Sequence, residues 1–242
     1  MLRALTHAEE PLAIAAERVA ETFQKGGRVI YVGAGSSGRV AAADAAEMPP
    51  TFGVEPDRFV ALIAGGTKAG ATAVETAEDS VHSSITGLNS LRVNPDDVVI
   101  GIAASGNTPY VVSAIVHASQ KGVWTCGISN NRVSRLLDAA EHGIFLDTGP
   151  EILTGSTRLK AATSQKLALN RISTAAMVLS GKVIENLMVD VKANNVKLKE
   201  RCVRIVRELS PLTGDEAHQM LEENDWSIRA VLEKVKTSSV VV

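Results

Sequence analysis

Two serines stand inside a glycine loop in the stretch VGAGSSGRVAAADAAEMPP, residues 32–50. Gly33, Gly35 and Gly38 take the G-x-G-x-x-G spacing, with Ser36 and Ser37 between them. Between a strand and a helix, such a loop turns backbone N–H groups and the positive end of the helix dipole towards an anion. A dinucleotide site needs more: an Asp or Glu about 20 residues on, at the end of the next strand, to hold the ribose hydroxyls. That strand ends in Ala64, Gly65 and Gly66 and supplies no acid there. The serine hydroxyls instead suit a phosphate monoester, which carries about two charges and takes several short donors. A tight turn with serine caps is the plain alternative. The third strand repeats the arrangement, with Ser105, Gly106, Asn107 and Thr108 ahead of a helix. Two such loops at the carboxyl ends of parallel strands point to one crevice, where open α/β sheets bind ligands. They predict a phosphorylated small molecule.

The carboxylates are less specific. Glu47 is expected at the end of the helix that follows the first loop, with Pro49 and Pro50 stopping that helix. An acid is electrostatically disfavoured at a helix C-terminus, so Glu47 is either a solvated surface acid or a residue with a task. A helix of about ten residues is roughly 15 Å long. Glu47 would therefore serve the far end of an extended ligand, or a ligand in a neighbouring subunit. Glu75, Glu78 and Asp79 are placed on the helix after the second strand, with Glu78 and His82 sharing a face; a wet surface is the plain reading. In GPEILTGSTRLKAATSQK, Ser156 or Thr157 can cap a long helix and Lys160 follows one turn in. This is either a simple cap or a further arm of the ligand site, with hydroxyls and one ammonium facing an anionic sugar. His7, His82, His117, His142 and His218 show no metal-ligand spacing, and there is no G-x-S-x-G elbow or Walker loop. Metal hydrolysis, P-loop chemistry and a serine hydrolase of that type lack their parts, so no metal is expected.

The elements that must hold these residues follow from hydrophobic periodicity. Residues 8–25 read as an amphipathic helix, with Leu12, Ala15, Ala16, Val19, Ala20 and Phe23 near one face. RVIYVG, RFVALIAGG, DDVVIGIAA, GVWTCGISN and HGIFLDT read as five short strands, apolar on both faces and separated by helices. The intervening helices are 37–47, 69–81, one opening at Thr108 and Pro109, and RVSRLLDAA. That alternation is the mark of a parallel sheet covered on both sides. From Ser156 onward the pattern reads as all helical, and residues 237–242 as a loose tail. The expected fold is thus α/β, a three-layer α/β/α sandwich on a five-stranded parallel sheet over residues 1–200. A small C-terminal helical subdomain over residues 201–242 follows it.

Bulk properties narrow the function classes. The chain has 242 residues, 45% of them hydrophobic, which allows a sizeable core without disulfides. A net charge of −2 makes no electrostatic case for nucleic acid or an anionic membrane. Cys126 and Cys202 lie far apart and match no C-x-x-C pattern. With acids running through the first apolar stretch and no run long enough for a membrane helix, the expectation is a cytoplasmic protein.

At this point a resemblance becomes specific. YVGAGSSGRVAAADAAEMPPTFG, LIAGG, VETAEDS, GIAASGNTPYV, GPEILTGSTRLKAATSQKLALN and GKVIENLMVDVKANNVKLKERCVRIV occur in the order seen in the N-acetylmuramic acid 6-phosphate etherases. The likeness covers about residues 10–235. It implies the sugar-isomerase (SIS) fold, shared with the two-domain glucokinase regulatory protein, and cleavage of a lactyl ether with water and without a cofactor. It puts the proton donor at Glu47, the second catalytic carboxylate at Glu78, and the phosphate-loop hydroxyls at Ser36, Ser37 and Ser105. Gly35, Asn107, Thr108, Ser156, Thr157 and Lys160 complete the expected binding set. A phosphorylated amino sugar and a homodimer are the expected partners. The dimer is also suggested by apolar stripes on helix 8–25 and on the long helix from Thr157. The sequence departs from the family at Met48, usually Cys, and at Asn107, usually Arg, whose fixed donors asparagine does not match. The family's additional N-terminal segment has no counterpart here, and part of the subunit interface and of site closure is expected to depend on it. An aldose–ketose phosphosugar isomerase and a non-catalytic sugar-phosphate sensor are the competing readings.

Overall fold

The computed structural model of the protein describes residues 1–239, so the last part of the expected tail, 240–242, lies outside the described residues. Contacts divide the chain into two compact units, residues 1–46 with 56–180 and residues 47–55 with 181–242.

In the first unit, β1 (Val29–Gly33), β2 (Phe59–Ile63), β3 (Val98–Ala103), β4 (Trp124–Ser129) and β5 (His142–Phe145) form one parallel sheet. The strand order is β2-β1-β3-β4-β5. Its helices are α1 (Leu2–His7), α2 (Glu9–Gln24), α3 (Gly35–Phe52, whose last turn groups with the second unit), α4 (Lys68–Ala71), α5 (Val81–Ser90), α6 (Pro109–Gln120), α7 (Arg135–Ala139) and α8 (Lys160–Leu179). β1 and β3 are buried along their whole length, which is why they read as unbroken apolar runs. Side chains alternate between the two faces. Ile30, Val32, Val99 and Ala103 join Leu88 of α5, Val111 and Ile115 of α6 and Leu136 of α7 in one core. The opposite face carries Tyr31, whose hydroxyl donates to Asp44 of α3 at 2.9 Å; Asn170 and Ser173 of α8 donate to the same carboxylate at 2.8 and 3.1 Å. The three-layer sandwich on five parallel strands is the architecture expected from the sequence.

Several boundaries differ, each for a local reason. α3 does not stop at the prolines: Pro49 and Pro50 lie inside it. Proline keeps a helical φ, and the chain accepts the loss of two N–H donors. The helix expected over 69–81 is three pieces, α4, a 3₁₀ turn Glu75–Asp79 and α5, with a break at Ser80, whose ψ is 89°. Glu78 and His82 consequently sit on different elements and do not share a helix face. The all-helical reading beyond Ser156 is corrected by an antiparallel hairpin, β6 (Val183–Ile184) with β7 (Leu187–Met188). Residues 237–239 belong to the last helix and are not a tail.

The second unit holds that hairpin with α9 (Val196–Leu209), α10 (Gly214–Glu222) and α11 (Ile228–Ser239). Its own core is built on Val189, Cys202, Val206, Leu221 and Val231. Asp190 anchors it, accepting from Arg229 Nε at 2.9 Å and Nη2 at 3.0 Å, with Lys182 Nζ at 3.1 Å. Desolvation pushes the Asp190 pKa up, but the bonds and charges of Arg229 and Lys182 outweigh it and hold the carboxyl below its ordinary value. α10 opens with a capping box between Thr213 and Glu216.

Candidate active site

The strand order reverses between β1 and β3, because the chain leaves β1 for β2 on one side and returns to β3 on the other. That is the topological switch point, where the loops after the two strands part and leave a crevice. The two loops singled out in the sequence are these two: the first follows Gly33 of β1 and the second follows Ala103 of β3. β1 and β3 are in register there, with Gly33 opposite Ile102.

The first loop is tight. A Cβ on Gly33 would come within 2.7 Å of the Gly38 Cα, so the strand end and the first helical turn touch backbone to backbone. α3 therefore begins at Gly35, earlier than the sequence suggested, and includes both serines. Ser36 is half-buried and Ser37 is 8% exposed. Among the described residues no acceptor takes the N–H groups of Gly35, Ser36 or Ser37; the first bond of the turn is Gly38 N–H to the Ala34 carbonyl at 3.1 Å. Three backbone donors at a helix N-terminus are thus available together with two hydroxyls.

The second loop is braced from behind. Gly106 has φ +67° and a Cβ there would collide with Ser134. Its carbonyl accepts from Leu136 N–H at 2.9 Å. Asn107 Oδ1 accepts from Arg135 N–H at 3.2 Å, and its Nδ2 donates to the Ser105 carbonyl at 3.1 Å. Both ends of that amide are engaged within the loop region. Ser105 Oγ, exposed, accepts from Asn107 N–H at 3.2 Å and keeps its own proton to donate outward. Thr108 is the half-buried N-cap of α6 and makes no side-chain cap bond, leaving Pro109 to start the helix.

Glu78, exposed on the 3₁₀ turn, shares a cavity of about 310 Å³ with Gly35 and with Arg39 of α3. Small apolar residues, Ala34, Ala64, Ala69 and Val74 among them, form much of the wall. The structure thus brings the first glycine loop and one of the two expected carboxylates to one cavity. A larger cavity, about 910 Å³, opens beside β2 and α5 and contains none of the expected site residues. Glu47 is exposed on α3 and groups with the second unit. Ser156 is half-buried, Thr157 exposed and Lys160 half-buried, at the start of α8. Neither hydroxyl caps α8. The Glu151 carboxylate does, accepting from Lys160 N–H at 3.0 Å and Ala161 N–H at 2.8 Å. A full negative charge suits the positive end of the dipole better than a hydroxyl. Desolvation raises the Glu151 pKa, but those two N–H bonds and the Lys160 charge together bring it below its usual value. Among the described residues no three His, Cys, Asp or Glu side chains are placed to hold a metal ion.

Arg39 and Glu151 were not read from the sequence. Arg39 follows the loop directly in GSSGR, and its helical offset from Gly35 was the available signal. Glu151 is remote from the N–H groups it caps, outside the local pattern of a capping box.

A parallel sheet with this strand order and hydroxyl-bearing loops at its switch point defines an SIS domain. Residues 11–119 match the glucokinase regulatory protein N-terminal SIS domain and residues 70–172 the SIS domain. A phosphoheptose isomerase from Francisella tularensis superposes with a TM-score of 0.55 at 19% identity, covering 75% of this chain and 91% of that one. Similarity in sequence goes further. N-acetylmuramic acid 6-phosphate etherase 1 of Bacillus licheniformis is 46% identical over 217 residues, 90% of this chain and 71% of that protein. The N-acetylmuramic acid 6-phosphate etherase of an Exiguobacterium species is 53% identical over 216 residues, 89% of this chain and 74% of that protein. The chain belongs to the N-acetylmuramic acid 6-phosphate etherase family.

Proposed function

We propose that the chain is a carbon–oxygen lyase that cleaves the lactyl ether of N-acetylmuramic acid 6-phosphate, giving N-acetylglucosamine 6-phosphate and D-lactate. The observation that carries the reading is the joint placement of Gly35 and Glu78 on one cavity beside the switch point. In this reading the phosphate is held by the N–H groups of Gly35, Ser36 and Ser37 and by the hydroxyls of Ser36, Ser37 and Ser105. Asn107 and Thr108 shape the second loop. Ser156, Thr157 and Lys160 form a further arm towards the sugar.

An ether is a poor leaving group, so direct displacement by water at C3 is disfavoured. In the open-chain sugar the C1 aldehyde acidifies the C2 proton. Glu78 takes that proton, and the electron pair moves onto the C1 oxygen. Its return forms the C2–C3 double bond and expels the lactyl oxygen, which takes a proton from Glu47. Water then adds at C3 and C2 regains a proton. The scheme needs one carboxylate as base and the other as acid when the substrate is bound. The role of Glu47 rests on its place in the AEMPPTFG stretch. Cytoplasmic placement fits the substrate and the two free cysteines.

The test is incubation with N-acetylmuramic acid 6-phosphate in deuterated water, following lactate and the C2 proton. The wild type should release lactate. Glu78→Gln should abolish both lactate release and C2 exchange. Glu47→Gln should lose release while keeping exchange. Each loss should be roughly 10² to 10⁴ in rate, the usual contribution of a general acid or base. A ketose product without lactate would make the chain an isomerase, and tight binding with no exchange a sensor.

A further inference from the structure

The cavity that holds Glu78 contains one positive charge the scheme above leaves unused. Arg39 is half-buried on the second turn of α3 and lines the cavity with Gly35 and Glu78. A guanidinium carries five N–H donors and does not deprotonate in a protein. Of these, one is engaged: Nη1 donates to the Ala69 carbonyl at a long 3.3 Å. Among the described residues no carboxylate lies within ion-pair distance of Arg39. Three other arginines of the first unit are partly buried, and they differ. Arg18 pairs with Glu21 at 3.4 Å and lies over the Trp124 ring. Arg28 is locked onto Asp97 through Nε at 3.0 Å and Nη2 at 2.7 Å. Arg58 donates three bonds to the Gly27 and Phe23 carbonyls and lies over the Phe23 ring. Among the described residues Arg39 alone of the four has neither a carboxylate nor an aromatic ring against its guanidinium and makes a single hydrogen bond.

We propose that Arg39 is a further catalytic residue, whose guanidinium stabilises the oxyanion that forms at C1 when Glu78 removes the C2 proton. The inference rests on the etherase reading. Removing a proton next to an aldehyde transfers the C–H electron pair to the carbonyl oxygen, so a full negative charge develops two bonds from the carbon that gives its proton to Glu78. With Ala34, Ala64, Ala69 and Val74 around it, that charge has no hydroxyl from those walls to meet it. A fixed cation in a small, largely apolar cavity acts with little reorganisation, and a single donor to an oxyanion is worth about 10² to 10³ in kcat. The bond to Ala69 holds the head group without neutralising it. The proton goes to Glu78 and the electron pair to the C1 oxygen beside Arg39; no other reactant is needed.

The experiment compares wild type, Arg39→Gln and Arg39→Lys for lactate release, C2 exchange in deuterated water, and thermal unfolding. Arg39→Gln should lose about 10² to 10³ in kcat with KM nearly unchanged, and exchange should fall in parallel. Arg39→Lys, which keeps the charge but not the fork, should recover part of both rates. An Arg39→Gln protein with normal exchange and a raised KM would overturn the proposal, since the cation would then grip the lactyl carboxylate. So would rates in both variants that track a falling unfolding temperature, since Arg39 would then only brace Ala69. A wild type that neither exchanges nor releases lactate would instead overturn the etherase reading itself.

Discussion

Asn107 shows how a side chain expected at a ligand site can act on its own loop first. Its amide oxygen takes the Arg135 N–H and its amide nitrogen holds the Ser105 carbonyl, so it fixes where Ser105 points. The outward donor of that loop is then the Ser105 hydroxyl, whose oxygen already accepts the Asn107 N–H. A hydrogen bond to a charged group is worth about 1.5 to 3 kcal/mol. Ser105→Ala should therefore weaken a hexose 6-phosphate by roughly 10- to 150-fold by that measure, and leave the unphosphorylated sugar's much weaker binding unchanged. Isothermal titration with both ligands decides it, and an equal loss for both would remove Ser105 from the phosphate site. The positions of Ser36, Ser37 and Ser105 in loops between strand and helix were legible, because the glycines and the change from a strand to a helix pattern mark both loops. Arg39 was not, because one arginine in an amphipathic helix gives no sign of whether its donors are taken.

At the scale of elements, the three central strands β1, β3 and β4 were readable because burial on both faces leaves a sequence with no polar alternation. What was not readable were the places where the chain departs from a local signal. The prolines in α3, the break at Ser80 and the two-residue strands of the β6–β7 hairpin are all of this kind. The Asp44 network belongs with them. It ties β1, α3 and α8 through one carboxylate that is 5% exposed. Desolvation is the largest influence on Asp44 and raises its pKa, against the bonds from Tyr31, Ser173 and Asn170. A raised folded pKa means the native state binds the proton more tightly than the unfolded chain does. This stabilisation is complete below the ordinary Asp value of about 3.9 and is lost as pH rises through the raised one. Urea unfolding of the wild type should show that slope in the mildly acidic range, and Asp44→Asn should flatten it. Asp44→Ala should cost about 1 to 3 kcal/mol at neutral pH by leaving buried donors unpaired. An unchanged slope in Asp44→Asn would assign the pH dependence to other groups.

At the scale of the whole molecule, the open matter is assembly, and the structure changes the reason to expect it. The stripes on α2 and α8 are used within the chain. Leu12, Ala15, Ala16, Val19 and Ala20 of α2 are buried, as are Ala161, Ala168, Leu169, Ile172 and Ala176 of α8. An apolar surface that the chain leaves partly open lies at β2, which ends the sheet. Val60, Ala61, Leu62 and Ile63 are all half-buried there, unlike the fully buried β1 beside them. The 910 Å³ cavity next to this strand has Ala61, Leu62, Ile63, Ala77 and Tyr110 among its lining residues. An unpaired strand edge with apolar neighbours is a surface that proteins cover or blunt with charge, and FVALI carries no charge to blunt it. A second copy of the chain supplies the same edge in return, which is the self-complementarity a two-fold dimer needs. Sedimentation velocity at about 10 to 50 μM, above the dissociation constants of ordinary stable complexes, should give a dimer. Ala61→Arg puts a charge at the edge and should shift the population to monomer while the unfolding temperature stays close to that of the wild type. A wild-type monomer across that range would mean that the site works within one chain, and a dimer untouched by Ala61→Arg would place the subunit contact away from β2.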